Sequence, residues 1–149
     1  MSINSAQKPP ANHEIISGIS EIADHYDFFI LDVWGVLFDG NAPFSKTIAC
    51  LERLKQEKKE VCLLSNFSDR SAEIMNRLEE HGIPKTLYKN AVTGGEGAYW
   101  ALHNREKGFL QNSGSRCWAL GSDFYNYKET VVEGHGLIFV DGPEEADFL

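Results

Sequence analysis

The sequence predicts an α/β fold built on a parallel sheet, and three observations carry that prediction. Phe28-Phe29-Ile30-Leu31 is an uninterrupted apolar run that ends on Asp32 and a glycine-containing turn, Val33-Trp34-Gly35. Val61-Cys62-Leu63-Leu64, entered from Glu60, is a second such run, closed by Ser65-Asn66. Between them, residues 43–56 place Ile48, Cys50, Leu51 and Leu54 at helical spacing. Apolar runs bounded by turn signals suit strands buried on both faces of a parallel sheet, and strand, helix, strand in that order suits a right-handed crossover. Both strand ends then lie at one edge of the sheet, where open α/β sheets put their ligands.

The 149 residues suffice for one domain, or for one domain and part of another. With 42% apolar and 24% charged residues, and nine Phe, five Tyr and three Trp, an ordinary core is within reach. A net charge of −8 argues against a nucleic-acid backbone or an acidic membrane surface as partner. No apolar run approaches the length of a membrane span. Cys50, Cys62 and Cys117 have no CxxC spacing and sit in apolar surroundings. They are expected as reduced core thiols of a cytoplasmic protein.

In chain order, residues 1–14 are polar with a Pro-Pro pair and are expected as a mobile arm. Ile15, Ile16, Ile19, Ile22 and Ala23 recur at helical spacing and predict a short amphipathic helix ahead of the first strand. In the helix of residues 43–56, Pro43 falls near the first turn and Lys55, Lys58 and Lys59 gather near the end. Ser68 or Asp69 is placed to cap the next helix, whose apolar face is Ala72, Ile74, Met75 and Leu78 and whose end is His81-Gly82. Residues 97–107 repeat the helical pattern through Ala98, Trp100, Ala101 and Leu102. Short strands are expected at 116–120 and 137–140, and another begins at 146.

A carboxylate at a strand end is costly without a partner, so Asp32 either caps the following turn or meets a cation or chemistry. Capping accounts for Ser68 and Asp69, but it leaves Ser65-Asn66 unexplained. The two strand ends together describe an anion site beside a helix N-terminus, facing a nucleophile or metal ligand.

The residues themselves sharpen this. Four apolar residues, then Asp32-x-x-Gly35-Val36-Leu37, followed later by Leu63-Leu64-Ser65-Asn66, resemble the first two motifs of the haloacid dehalogenase superfamily. Phe38-Asp39-Gly40 and Val92-Thr93-Gly94-Gly95-Glu96 resemble its class IIA branch of hydrolases and phosphatases, and Asp-Val-Trp-Gly-Val-Leu resembles one group within that branch. The resemblance implies a three-layer, Rossmann-like parallel sheet, with a partial core over residues 15–93 and the start of an α/β cap domain over 94–149. It implies a phosphatase of a small phosphorylated metabolite. Asp32 would be the nucleophile and become an aspartyl phosphate. Asp32 and the main-chain carbonyl of Trp34 would hold Mg²⁺. Ser65 and the amide of Asn66 would hold the phosphoryl group, and residues 35–40 would form a flap.

Two departures from the family pattern follow. Where family phosphatases carry a second aspartate, two residues after the nucleophile, this chain carries Trp34, whose indole exchanges no proton near neutral pH. Asp39 is either a substitute acid on the flap or a turn residue before Gly40. The late lysine and acidic motifs have no equivalent, since Lys128 lacks the strand and helix setting and Asp141-Gly142 reads as a turn. The chain is thus expected to be the N-terminal portion of a longer protein. Its open sheet face admits a homo-oligomer. Asp123, Tyr125 and Tyr127 are placed either to face substrate or to lie on solvated loops. Against the enzyme stands a second reading, a non-catalytic phosphate-binding or interaction module, which Trp34 and the missing motifs favour.

Overall fold

The computed structural model describes residues 15–108, 110–121 and 131–148. The expected mobile arm, and Asp123, Tyr125, Tyr127 and Lys128, lie outside the described residues. Three parallel strands form the main sheet in the order β1 (Phe28–Asp32), β2 (Glu60–Ser65) and β3 (Asn90–Thr93). β1 and β2 are joined through α1 (Thr47–Gln56), and β2 and β3 through α2 (Ser71–Glu80). The register sets Asp32 opposite Leu64 and Ser65 opposite Thr93, so all three carboxyl ends share one edge. The parallel α/β prediction holds.

Period-two alternation divides the sheet into two unlike faces. On one, Phe29, Val61, Leu63 and Ala91 pack with Leu51 and Leu54 of α1 and Ile74 and Leu78 of α2 in a single core. On the other, Phe28, Ile30, Leu64 and Val92 are 47%, 62%, 49% and 45% exposed. The expectation of strands buried on both faces is therefore corrected. β1 is an edge strand, and both helices of the crossovers cover the same side. Apolar runs rather than alternating ones mark strands meant for cover on two sides, so an uncovered face this apolar is sticky. The 149-residue polypeptide alone is expected to bind the dye ANS and to self-associate. A monodisperse monomer with no dye binding, in sedimentation and fluorescence, contradicts this.

Several boundaries moved, each for a local reason. The amphipathic helix expected over 15–23 is replaced by two 3₁₀ turns, Ile19–Glu21 and Ala23–His25, because Gly18 is fully extended and only Ala23 is buried. α1 begins at Thr47 rather than near Pro43. Pro43 bridges back to Phe38, the Phe44 amide donates to Leu37 O at 3.1 Å, and the Thr47 hydroxyl donates to the same carbonyl at 2.9 Å. Residues 43–46 are spent on that return.

Arg70, not Ser68 or Asp69, occupies the N-cap of α2, and Ala72 is exposed while Ser71 is buried. The Glu73 carboxylate accepts the Arg70 amide at 3.0 Å, and Asp69 instead pairs with Arg77 at 2.9 Å. β3 has no counterpart in the sequence reading, and α3 (Gly94–His103) starts directly after it, three residues before the helix expected at 97. β4 (Arg116–Cys117) and β5 (Ile138–Phe139) form a separate parallel pair, and where a further strand is expected from 146 there is a single isolated bridge from Phe148 to Cys117. All three cysteines are free, with Cys117 buried and Cys50 and Cys62 half-buried. Burial pushes the Cys50 and Cys117 thiols up, which suits packing rather than nucleophilic use.

Candidate active site

Asp32 is the last residue of β1, and its side chain is exposed. Its Oδ1 accepts the Val33 amide at 2.7 Å. Immediately beyond, the chain folds into a tight loop in which the Leu37 and Phe38 amides both donate to Val33 O, at 2.9 and 3.1 Å. The Gly35 amide donates to Phe38 O at 2.9 Å, which its left-handed φ of 74° allows. Val33, Leu37 and Phe38 are drawn into the core, so the loop that leaves Asp32 is anchored by burial. The bonds closing it use the carbonyls of Val33 and Phe38 and leave that of Trp34 outside the set.

Trp34 is half-buried. Its ring stacks on Phe67 at 5.5 Å between centroids with an interplanar angle of 10°, and meets Phe38 edge-on at 5.3 Å. Gly40 passes beneath the indole with φ 111°, where a Cβ would stand 2.7 Å from the ring. Trp34, Asn66, Phe67 and Ser68 line a recess of about 250 Å³ beside the ends of β1 and β2. A larger hollow of about 470 Å³ lies across α1, between Ala23, Arg53 and Leu54, away from those strand ends.

Ser65 ends β2 and is buried, with its hydroxyl accepting the Phe67 amide at 3.4 Å, while Asn66 is exposed. Asp32 and Ser65 come together at adjacent strand ends as expected, although alternation sends their side chains to opposite faces. A common ligand is therefore reached over the rim of the sheet rather than across one face. Asp39 serves the turn. Its Oδ1 accepts the Asn41 and Ala42 amides, each at 2.8 Å, and these backbone bonds, that of Ala42 foremost, hold the fully exposed carboxyl below its usual range.

The structure adds a clamp centred on Glu96. Glu96 Oε2 accepts from Arg70 Nε at 2.8 Å and from the Ser71 amide at 3.1 Å. Its Oε1 accepts from the second Arg70 nitrogen at 3.1 Å and from the Trp100 indole at 2.8 Å. The Arg70 guanidinium also lies 3.5 Å over the Tyr99 ring. Around this pair, the Gly95 amide donates to Phe67 O at 3.0 Å, and the Thr93 hydroxyl donates to Asp69 O at 2.7 Å. The segment after Ser65 is thus gripped by the first turn of α3. Thr93-x-x-Glu96 has the spacing of a capping box, and the Thr93 hydroxyl does accept the Glu96 amide at 3.0 Å, but the Glu96 carboxylate turns to Arg70 instead, which no local pattern signals.

Bonding to Arg70 above all moves the Glu96 carboxyl from 4.5 down to about 2. Its folded value lies below its unfolded one, so its contribution to stability is complete above pH 4.5 and disappears as pH falls toward 2. Glu96→Gln is expected to cost about 1.5–3 kcal/mol near neutral pH, the range for bonds to charged groups. Denaturant titrations should show the gap between wild type and variant closing between pH 5 and pH 2.5; a gap constant with pH contradicts the assignment.

Asp32 and the Trp34 carbonyl are hard oxygen donors, the kind Mg²⁺ takes, and that ion is commonly bound through one or two carboxylates with the rest of its shell from water and phosphate. Among the described residues no group of three or more His, Cys, Asp or Glu gathers into a metal cluster. This chain fits as a partial donor set.

A family model described as haloacid dehalogenase-like hydrolase matches residues 29–137. The 4-nitrophenylphosphatase of Schizosaccharomyces pombe is 35% identical over 68 residues, covering 45% of this chain and 23% of that protein. A haloacid dehalogenase-like hydrolase from Brucella suis superposes with a TM-score of 0.69 at 22% identity, over 89% of this chain and 46% of the other. A glycerol phosphate phosphatase from Mycobacterium tuberculosis, solved with magnesium, gives 0.51 at 24% identity, over 83% of this chain and 35% of the other. The likeness to these two structures is one of fold. The chain spans less than half the length of each of these relatives. No described helix is long and apolar enough to cross a membrane.

Proposed function

The chain belongs to the haloacid dehalogenase-like hydrolase family, and on that footing we propose that it is the nucleophile-bearing part of a Mg²⁺-dependent phosphatase of small phosphorylated metabolites. One observation carries the reading: an exposed carboxylate, Asp32, ends β1 beside the Ser65-Asn66 end of β2, near a recess of about 250 Å³ that Asn66 helps to line. Asp32 attacks phosphorus and becomes a transient acyl phosphate. The Val33 amide, 2.7 Å from Oδ1, orients that oxygen and leaves Oδ2 for the attack. The Ser65 hydroxyl and the Asn66 amide hold the phosphoryl oxygens as charge redistributes. Asp32 and the Trp34 carbonyl would hold Mg²⁺, which when bound supplies neutralisation of phosphate charge.

The clamp of Glu96 on Arg70 and Ser71 keeps the segment after Ser65 in place without touching substrate. The test is phosphate release from an aryl phosphate by the full-length protein, with Mg²⁺ and after chelation. Turnover lost on chelation and restored by Mg²⁺ is the expected result. Release indifferent to both chelation and Asp32→Asn overturns the reading.

A further inference from the structure

We propose that Tyr99 and His135 are positioning residues for the phosphoryl-holding segment, so that the grip of Ser65 and Asn66 on phosphate depends on how the β4–β5 pair is seated against α3. This relay rests on the phosphatase reading above and deepens it. Its links are direct contacts between side chains that stand far apart in the sequence.

The first link is Arg70, which ends the segment that runs from β2 to the N-cap of α2. Glu96 takes the edge of its guanidinium at 2.8 and 3.1 Å, and the Tyr99 ring lies against its face at 3.5 Å. A two-pronged ion pair fixes a guanidinium within its plane, and an aromatic face fixes it across that plane. Together they hold Arg70, and the backbone that leads to it, in one place. Loss of the ring leaves Glu96 gripping a group that is free to tilt.

Tyr99 is held in its turn. His135 meets its ring edge to face at 4.9 Å and 71°, and His103 stacks on it at 5.8 Å and 11°. His135 comes from outside the main sheet, three residues ahead of β5. Glycines with left-handed φ of 86° and 67°, at 134 and 136, turn the backbone on either side of it. Arg105, just past α3, makes a second tie to the same pair, donating to Gly114 O at 2.9 Å and Ser115 Oγ at 3.0 Å ahead of β4. The first turn of α3 therefore touches the phosphoryl-holding segment, and its last turn touches the β4–β5 pair. Tyr99 stands between them in contact with both Arg70 and His135.

The test is the affinity of the full-length protein with Mg²⁺ for inorganic phosphate, measured by calorimetry beside the melting temperature. His135→Ala and Tyr99→Leu should each weaken phosphate binding about three- to thirtyfold, the range for residues that act on a site through its neighbours. His135→Phe keeps a ring against Tyr99. The Nε2 that it removes is buried with no hydrogen-bond partner among the described residues, so affinity should stay within about twofold of wild type. In a Glu96→Gln background the clamp is already cut, and His135→Ala or Tyr99→Leu should add less than about twofold. Arg116→Ala is the control on the same pair, since it breaks only an exposed ion pair with Glu145, and it should leave phosphate binding unchanged. Tyr99→Leu reads the relay from α3, so a His135→Ala protein that fails to fold leaves it falsifiable. Variants that melt lower yet bind phosphate like wild type overturn the relay and spare the phosphatase reading, as does an effect that persists in full in the Glu96→Gln background. Wild type that neither binds phosphate nor releases it from an aryl phosphate overturns both.

Discussion

Asp32→Asn should abolish phosphate release and leave the fold intact. The amide matches the carboxylate in shape, and its carbonyl can still accept the Val33 amide that lies 2.7 Å from Oδ1. The residue is exposed at the end of β1, so its replacement falls among surface changes worth about 0.5 kcal/mol or less. Chemically the loss is large. An amide oxygen is a poor nucleophile and a weak ligand for a hard cation, and removing a covalent nucleophile costs on the order of 10⁴-fold or more in kcat. Single-turnover phosphate release and thermal melting, run together, decide the matter. A variant that melts like wild type and releases nothing supports the nucleophile. One that melts like wild type and keeps its activity makes Asp32 a turn cap, and the enzyme reading fails.

Gly95→Ala should be the most disruptive single methyl in the described structure. A Cβ there would stand 1.8 Å from Ser68 O, 2.5 Å from Ser68 C and 2.6 Å from Asp69 O. All three are backbone atoms, so no side chain can step aside. Overpacking typically costs about 1–3 kcal/mol and more where the neighbours are rigid; this one belongs at or above the upper end. Either α3 backs away or residues 66–69 do, and the Gly95 to Phe67 bond of 3.0 Å goes with them.

Because Ser65 and Asn66 lead into that segment, the affinity for inorganic phosphate should fall together with stability. Gly97→Ala is the matched control two residues on in α3. A Cβ there meets nothing within 4 Å, and Ala in place of Gly in a helix contributes about 1 kcal/mol. Melting temperatures moving in opposite directions for the two variants are expected. Gly95→Ala melting at or above wild type contradicts the close approach.

Much of this was legible in the chain. Apolar runs at 28–31 and 61–64, with an amphipathic segment between them, determine parallel strands and a crossover helix, because period and turn signals are local properties. The same locality brought Asp32 and Ser65 to one edge of the sheet. It also offered a turn residue as one of two readings of Asp39, and the bonds to the Asn41 and Ala42 amides match that one.

What the sequence alone left undecided depends on who is near whom. Glu96 is an ordinary charge along the chain, and only folding lays it against Arg70, 26 residues away, where a shared ion pair grips the segment after Ser65. Glycines 94 and 95 look like flexibility, yet they mark the place where one backbone must approach another. Trp34 reads as a missing carboxylate. The tertiary structure makes it a fixed wall, because Phe67 arrives from the next strand end to stack on it. The openness of one sheet face was likewise invisible, since the apolar content of a strand records the cover it is suited to, and only packing decides which side receives it.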